Sequence, residues 1–181
     1  MLQCSNAQSM YLIENPASLG NSWGVYGAMH YDNGKLYVGY SNQRDYGGYA
    51  VYDTLDPNID DEYEVVKPLW ITGEKDQSYY GSGAVTIKDM VVIGGDGGIV
   101  SVRNAKSGEE LSKLQLSGKI RCSLVYADGY IWTTTQNKKI YKLLLSESGK
   151  ITVAEEADLP NISNASPVVT GGKVYICLLY T

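Results

Sequence analysis

Residues 92–102, VIGGDGGIVSV, put four glycines and an aspartate between two β-branched runs. A glycine-rich loop of this kind cradles a phosphate only when a helix follows, because backbone N–H groups and the helix dipole must converge on the anion. Here Ile99-Val100-Ser101-Val102 follows, an alternating strand pattern. The pair Asp96-Gly97 therefore predicts a hairpin turn of type I′, with positive φ at both central residues, and no nucleotide site. The other groups able to do chemistry are sparse. His30, the single histidine, falls in a predicted strand at the level of Thr86 and Val125. No G-x-S-x-G elbow accompanies it, so a structural role is preferred to a Ser-His-Asp triad. Cys4, Cys122 and Cys177 are odd in number and far apart. They form neither a zinc motif nor a disulfide framework, and Cys122 reads as a buried, inert thiol. Asp56, Asn58, Asp60 and Asp61 in DPNIDDEYE (56–64) invite calcium. An EF-hand loop would need glycine at Asp61 and glutamate at Lys67, so a solvated acidic loop is expected. Lys106 and Glu109-Glu110 flank a turn and read as solvated surface.

These residues sit in a chain of 181, long enough for one domain with a sizeable core. The net charge is −5, with both signs scattered and no basic stripe. That argues against nucleic acid and against an anionic membrane surface. No apolar run approaches the roughly 18 residues of a membrane span, so no membrane insertion is expected. MLQC resembles the end of a lipoprotein signal, but nothing apolar precedes it. The chain holds 16 Tyr, 3 Trp and no Phe. Tyrosine suits strands with a packed ring and a wet hydroxyl.

Strand-turn-strand units recur: GAMHYDNGKLYVGY (27–40), GAVTIKDMVVIGG (83–95), CSLVYADGYIWTTT (122–135) and SPVVTGGKVYIC (166–177). A third strand follows the first three, at 47–53, 97–104 and 138–145. Fourth strands follow at 64–71, 110–116 and 151–159, and Pro68 marks the first of these as an outer edge, since proline cannot donate to a central ladder. Four antiparallel strands recurring at ~40–45 residues are the signature of a propeller blade. The fold class is therefore all-β, a partial β-propeller of about three full blades and half of another, in one domain over 1–181. The blades span 27–72, 83–116, 122–159 and an incomplete 166–181, and residues 1–26 read as the end of a preceding blade or a linker. The first blade is longer, with the excess in loops 41–48 and 53–64. No stretch has sustained 3.6-residue periodicity, so almost no helix is expected.

The segments GGIVSVRNAKSGEE (97–110) and SPVVTGGKVYI (166–176) resemble the two halves of the repeat of quinoprotein-like propellers, the pyrroloquinoline-quinone-like repeat. The resemblance covers most of residues 27–177 and implies the scaffold rather than a function. Closure takes at least four blades and usually six to eight, so the sequence reads as part of a longer protein. The last residues, CLLYT, also resemble translated adapter sequence. The family's quinoprotein dehydrogenases hold their cofactor with adjacent cysteines and a calcium bound by Glu, Asn and Asp. This chain has no Cys-Cys pair, and no cofactor or metal site is carried over.

The expectation is a non-catalytic binding or scaffolding module of a larger bacterial protein, outside the cell or on its surface. The alternative is a fragment of a quinone-dependent dehydrogenase. In a propeller, the loops between blades share one face with the loops joining strands two and three. That rim would collect Trp23, Tyr26, Arg44, Tyr46, Tyr79, Tyr80, Arg121, Asn161 and Asn164. Aromatics beside arginine and amides suit a protein or glycan partner. The alternative for Trp23 and the tyrosines is packing between blades.

Overall fold

The computed structural model describes residues 12–13, 27–41, 46–60, 65–75, 77–79 and 81–179. They form strands, turns and loops, with no helix among them. Three four-stranded antiparallel sheets follow one another as meanders. The first blade holds β2 (His30–Asp32), β3 (Lys35–Ser41), β4 (Tyr46–Asp53) and β7 (Trp70–Lys75). The second holds β8 (Val85–Ile87), β9 (Met90–Gly94), β10 (Ile99–Asn104) and β11 (Glu110–Gln115). The third holds β12 (Val125–Ala127), β13 (Tyr130–Thr135), β14 (Lys139–Leu145) and β15 (Ile151–Asp158). A two-stranded half-blade, β16 (Val168–Thr170) and β17 (Lys173–Tyr175), comes last. The result is an open arc of β-propeller blades. First strands lie against one another, β12 between β8 and β16, while the fourth strands β11 and β15 meet at the other edge.

The first hairpins of the first and third blades have type I′ geometry, while that of the second blade has positive φ at Lys88 alone. Asn33-Gly34 has φ of 47° and 76°, and Asp128-Gly129 has 53° and 82°. The turn at 95–98 differs from expectation. Neither Asp96 nor Gly97 has positive φ; only Gly98 does, at 75°, and its N–H bonds the Gly95 carbonyl at 2.9 Å. This is a type I turn closed by a left-handed residue, the longer-loop solution. The extra residue lets the Asp96 N–H leave the hairpin and bond Ser78 O at 2.7 Å.

That bond repeats along the arc. Gln136 N–H donates to Lys119 O at 2.9 Å, and Leu179 N–H to Ile162 O at 3.0 Å. Each ties a turn following a second strand to the loop arriving from the blade before. The terminal Cys177 and Leu179 therefore keep the blade pattern, with Ser163 Oγ donating to Cys177 O at 2.7 Å.

Register also aligns the blades. His30 pairs with Tyr37, Val85 with Val92, Val125 with Trp132 and Val168 with Tyr175. His30 thus stands level with Val85 and Val125, one place from the expected match to Thr86. Alternate residues face opposite neighbours, as the pleat requires. Tyr37 packs with Val91 and Ile93 between the first two blades. Val92, Val100 and Val102 pack with Ile131, Tyr141 and Leu143 between the second and third.

The first blade departs from the reading in its fourth strand. Residues 64–71 are not one strand carrying Pro68. Val65–Val66 is β6, which belongs to a separate small sheet with β1 (Leu12–Ile13) and β5 (Ile59–Asp60). The fourth strand begins only at Trp70, opposite Val51. The acidic stretch is accordingly not a plain solvated loop: Ile59 is paired with Val66 and packs on the first blade.

Candidate functional site

Inter-blade contacts position everything that follows. On the face of the inter-blade loops, the buried Gln77 spans the 95–98 turn: its Nε2 donates to Ile99 O at 2.8 Å and its Oε1 accepts from Gly97 N–H at 2.9 Å. Arg121 holds the same turn from the next loop. Its Nε lies 3.1 Å and its Nη2 2.8 Å from the Asp96 carboxylate. The glycine-rich segment is thus a clasp between blades. Ser82 and Cys122 play matching parts, each reaching a second-strand carbonyl, Gly94 O and Thr134 O. Cys122 is buried, as expected.

The expected rim is only partly in view. Trp23, Tyr26, Arg44 and Tyr80 lie outside the described residues, as does the side chain of Tyr46, whose backbone belongs to β4. Tyr79 requires correction. Instead of standing on the rim it is fully buried, edge-on to Tyr49 with ring centroids 5.4 Å apart. Its burial pushes the phenol pKa well above the ordinary value. It fits because Gly39 has no side chain; a Cβ there would lie 2.8 Å from Tyr79 Cβ. Arg121, Asn161 and Asn164 are on the expected face but are engaged within the chain. Asn161 Nδ2 donates to Leu179 O at 2.6 Å, and Asn164 Oδ1 accepts from Gln136 Nε2 at 3.0 Å. Asn161 and Asn164 share the third inter-blade loop, while Arg121 lies on the second. Besides these polar side chains, the described part of this face exposes Leu179.

The opposite face, built from the first and third turns of each blade, holds a cleft of about 660 Å³ between blades one and two. Asp32 and Lys35 flank its first turn as a cross-strand pair. Asp53 lies opposite Lys35 on β4, and Lys88-Asp89 is the β8–β9 turn. Lys106 comes from the β10–β11 turn, and Leu69 and the buried Tyr37 complete the contrast of charge and apolar surface. Burial, aided by Asp32, raises the Tyr37 phenol to about 12.

Two local motifs fix these turns. Asp53 Oδ1 accepts from the N–H groups of Leu55 and Asp56 at 2.9 and 3.0 Å. Asn104 Oδ1 does the same for Lys106 and Ser107. Both are Asx turns, a side chain standing in for a turn carbonyl. Those N–H bonds hold the Asp53 carboxyl below its ordinary pKa.

Bonds between blades bound the cleft on two sides. At the first-strand edge, His30 Nε2 is 3.0 Å from Thr86 Oγ1, which donates to Asp32 Oδ2 at 2.9 Å. With the Thr86 proton committed to Asp32, the His30 nitrogen is the donor. His30 is thereby a bridge between first strands, and burial lowers its pKa against the opposing pull of Asp32. At the fourth-strand side, Trp70 Nε1 donates to Ala105 O at 3.0 Å. Its ring lies over Gly108, where a Cβ would sit 2.7 Å from Trp70 Cδ2. The next blade repeats this with Leu111 over Gly149. Beside Trp70's strand, Arg103 Nη2 binds Glu74 at 2.5 Å and Glu110 at 3.0 Å, with Lys113 2.9 Å from Glu110. Glu110 is therefore not idle solvated surface but a link in a charged cluster joining the two blades. The sequence contained one sign of the Trp70 contact, the glycine of the NAKSG turn, but not its partner.

Among the described residues no cluster of His, Cys, Asp or Glu is arranged to hold a metal ion. No helix among them is long and apolar enough to cross a membrane.

The arc of four-stranded meanders defines a β-propeller architecture. Comparisons with solved structures find the same architecture at low identity. BamB from Moraxella catarrhalis aligns with a TM-score of 0.63 and 15% identity, over 84% of this chain and 43% of that one. The computationally designed Ika8 protein aligns at 0.62 and 14%, over 84% and 42%. The designed Ika4 protein aligns at 0.65 and 13%, over 96% and 99%. The chain thus spans less than half the length of BamB and Ika8 and nearly all of Ika4. No protein-family model matches the chain, and no curated protein matches it.

Proposed function

We propose that this chain is a non-catalytic binding module of the quinoprotein-like propeller type, and that it takes a segment of a protein partner in the cleft between its first two blades. The cleft's lining is the observation that carries this reading. It offers Asp32, Asp53 and Asp89 together with Lys35, Lys88 and Lys106, beside the exposed Leu69. A polypeptide presents both signs of charge and apolar side chains at this spacing. A nucleic acid would meet three carboxylates. A glycan would want an aromatic platform, and the Tyr37 ring is almost fully covered. The tyrosine-rich, cysteine-poor composition supports a place outside the cytoplasm of a bacterium, as part of a larger protein. Vicinal cysteines and a Glu-Asn-Asp calcium set in further blades would instead make it part of a quinone-dependent dehydrogenase.

The test is selection of peptides from a random display library on the intact chain. The selected peptides are then measured against Lys88→Glu/Lys106→Glu and against the loop-face pair Lys119→Glu/Asn164→Ala. The cleft pair should weaken binding about tenfold, as two rim charges of ~0.7 kcal/mol each would. The loop-face pair should change it little. The reverse pattern would move the binding site to the inter-blade loops.

A further inference from the structure

The pleat assigns each side of a blade to one neighbour. Tyr37, Val92, Trp132 and Tyr175 are level in their second strands, and the first two of them pack toward the following blade. Their neighbours Leu36, Val91, Ile131 and Val174 face the preceding one, as Val91 and Ile131 show by their packing. The Leu36 side of the first blade is therefore the face against which a preceding blade would pack.

That face is already covered. Val38, Tyr40, Ala50 and Tyr52 are buried there with Val66, and Leu36, Ile59 and Ile71 pack around them. The Tyr40 and Tyr52 hydroxyls bond each other beneath this cover. Ile59 and Val66 come from β5 and β6, the paired strands inserted between the blade's third and fourth strands. Tyr31, on the same side but beyond the insertion, is 60% exposed. At the other end of the arc, Tyr175 faces the following side with no such cover and is 54% exposed. The stretch under β5 and β6 is buried.

We propose that β5 and β6 form a built-in cap on the blade-packing face of the first blade, so that another blade of this repeat docks there only when the cap is displaced. With β1 paired to β6, the insertion forms a sheet of three short strands where a blade would supply four, enough to bury one apolar stripe. It ends the stacking of blades on that side, as terminal repeats do in solenoids. The surface beneath the cap has one fitting partner, the following-side face of a blade of its own architecture, the side that carries Tyr37, Val51 and Trp70 in the first blade and Val92, Val100 and Val102 in the second.

The test uses a thiol placed beneath the cap. In Val38→Cys, which trims a fully buried side chain, labelling by a thiol reagent is followed peptide by peptide. The exposed Cys177 and the buried Cys122 serve as internal references. The position-38 thiol should react at least about a hundredfold more slowly than Cys177. Adding Val66→Asp, which puts a carboxylate into the contact, should speed it at least about tenfold while leaving Cys122 protected. Ile59→Ala, which only trims the contact, should give a smaller rise of the same kind. Labelling at the rate of Cys177 with the cap intact would overturn the proposal. So would a position-38 rate that neither cap variant changes, or one that rises only in step with Cys122, since the cap would then not open as a separate element.

Discussion

The seating of Trp70 on the turn of the next blade lends itself to a double-mutant cycle. Trp70 is 9% exposed and packs in the cluster between blades one and two. Its replacement by alanine removes a large ring and leaves Ala105 O without its indole donor. Large-to-small changes of this kind cost about 3–5 kcal/mol, and partial exposure at the edge sets the expectation near ~3. In a chain of this size that lowers Tm by roughly 6–12 °C. Gly108→Ala acts on the same contact from below. Its φ of 76° costs a residue with a Cβ about 1–2 kcal/mol. The methyl would also stand 2.7 Å from Trp70 Cδ2, so the ring must shift, at about 1–3 kcal/mol more. In the double variant the methyl occupies space the ring has left. Only the strain and the lost burial remain, and the total should fall short of the sum by about 2 kcal/mol. Urea titration followed by circular dichroism reads all four corners of the cycle. Additive costs would refute the contact as described. Gly149→Ala is the comparison: its Cβ would meet Leu111 Cδ1 at 2.8 Å and Leu111 Cβ at 2.9 Å, so it too should cost ~1–2 kcal/mol of backbone strain and about 1 kcal/mol or more for moving Leu111.

His30 provides a pH dependence free of other histidines. Its folded pKa is lowered by burial, so between that value and the ordinary 6.5 the unfolded chain binds more protons than the folded one. Stability should therefore fall as pH drops from about 6.5 toward the lowered value, and His30→Gln should remove this part of the slope; equal melting shifts for both chains between pH 7.5 and 5.5 would contradict it. Arg121→Ala releases the half-exposed clamp on Asp96 and should cost about 1 kcal/mol. High salt should shrink that difference in melting temperature, and a difference indifferent to salt would assign Arg121 a packing role instead.

The blades were legible because short apolar strands recur in the same order between turns rich in Asp, Asn and Gly. The third strands expected at 97–104 and 138–145 are Ile99–Asn104 and Lys139–Leu145. Where two apolar runs abut, the pattern misleads. EVVKPLWI reads as one strand, yet Val65–Val66 and Trp70 serve different sheets, because β7 takes its register from Val51. Tyr79, grouped with the rim residues, takes the alternative of packing between blades for a related reason. It lies among serines and glycines, the composition of an exposed loop, but the inter-blade loop drops into the gap left by Gly39. A glycine inside a strand marks a close approach of another segment. That was the available sign, though it named neither the segment nor the tyrosine.

The cleft escaped sequence reading for a deeper cause. No blade contains it. Asp32 and Lys35 belong to one turn, Lys88-Asp89 and Lys106 to two turns of the next blade, and the walls are bonds between blades, His30 with Thr86 and Trp70 with Ala105. Each turn, taken alone, has the charged composition that solvation demands. Only the stacking of one meander on the next turns three solvated hairpin tips into a walled groove with both signs of charge. The contact that stacks blades recurs, the glycine at 108 or 149 beneath an apolar residue, Trp70 or Leu111. The charged residues beside it at the tips differ from blade to blade, Asp32 and Lys35 in the first, Lys88 and Asp89 in the second, Asp128 in the third, and a binding surface on such an arc is accordingly written in residues outside the repeat pattern.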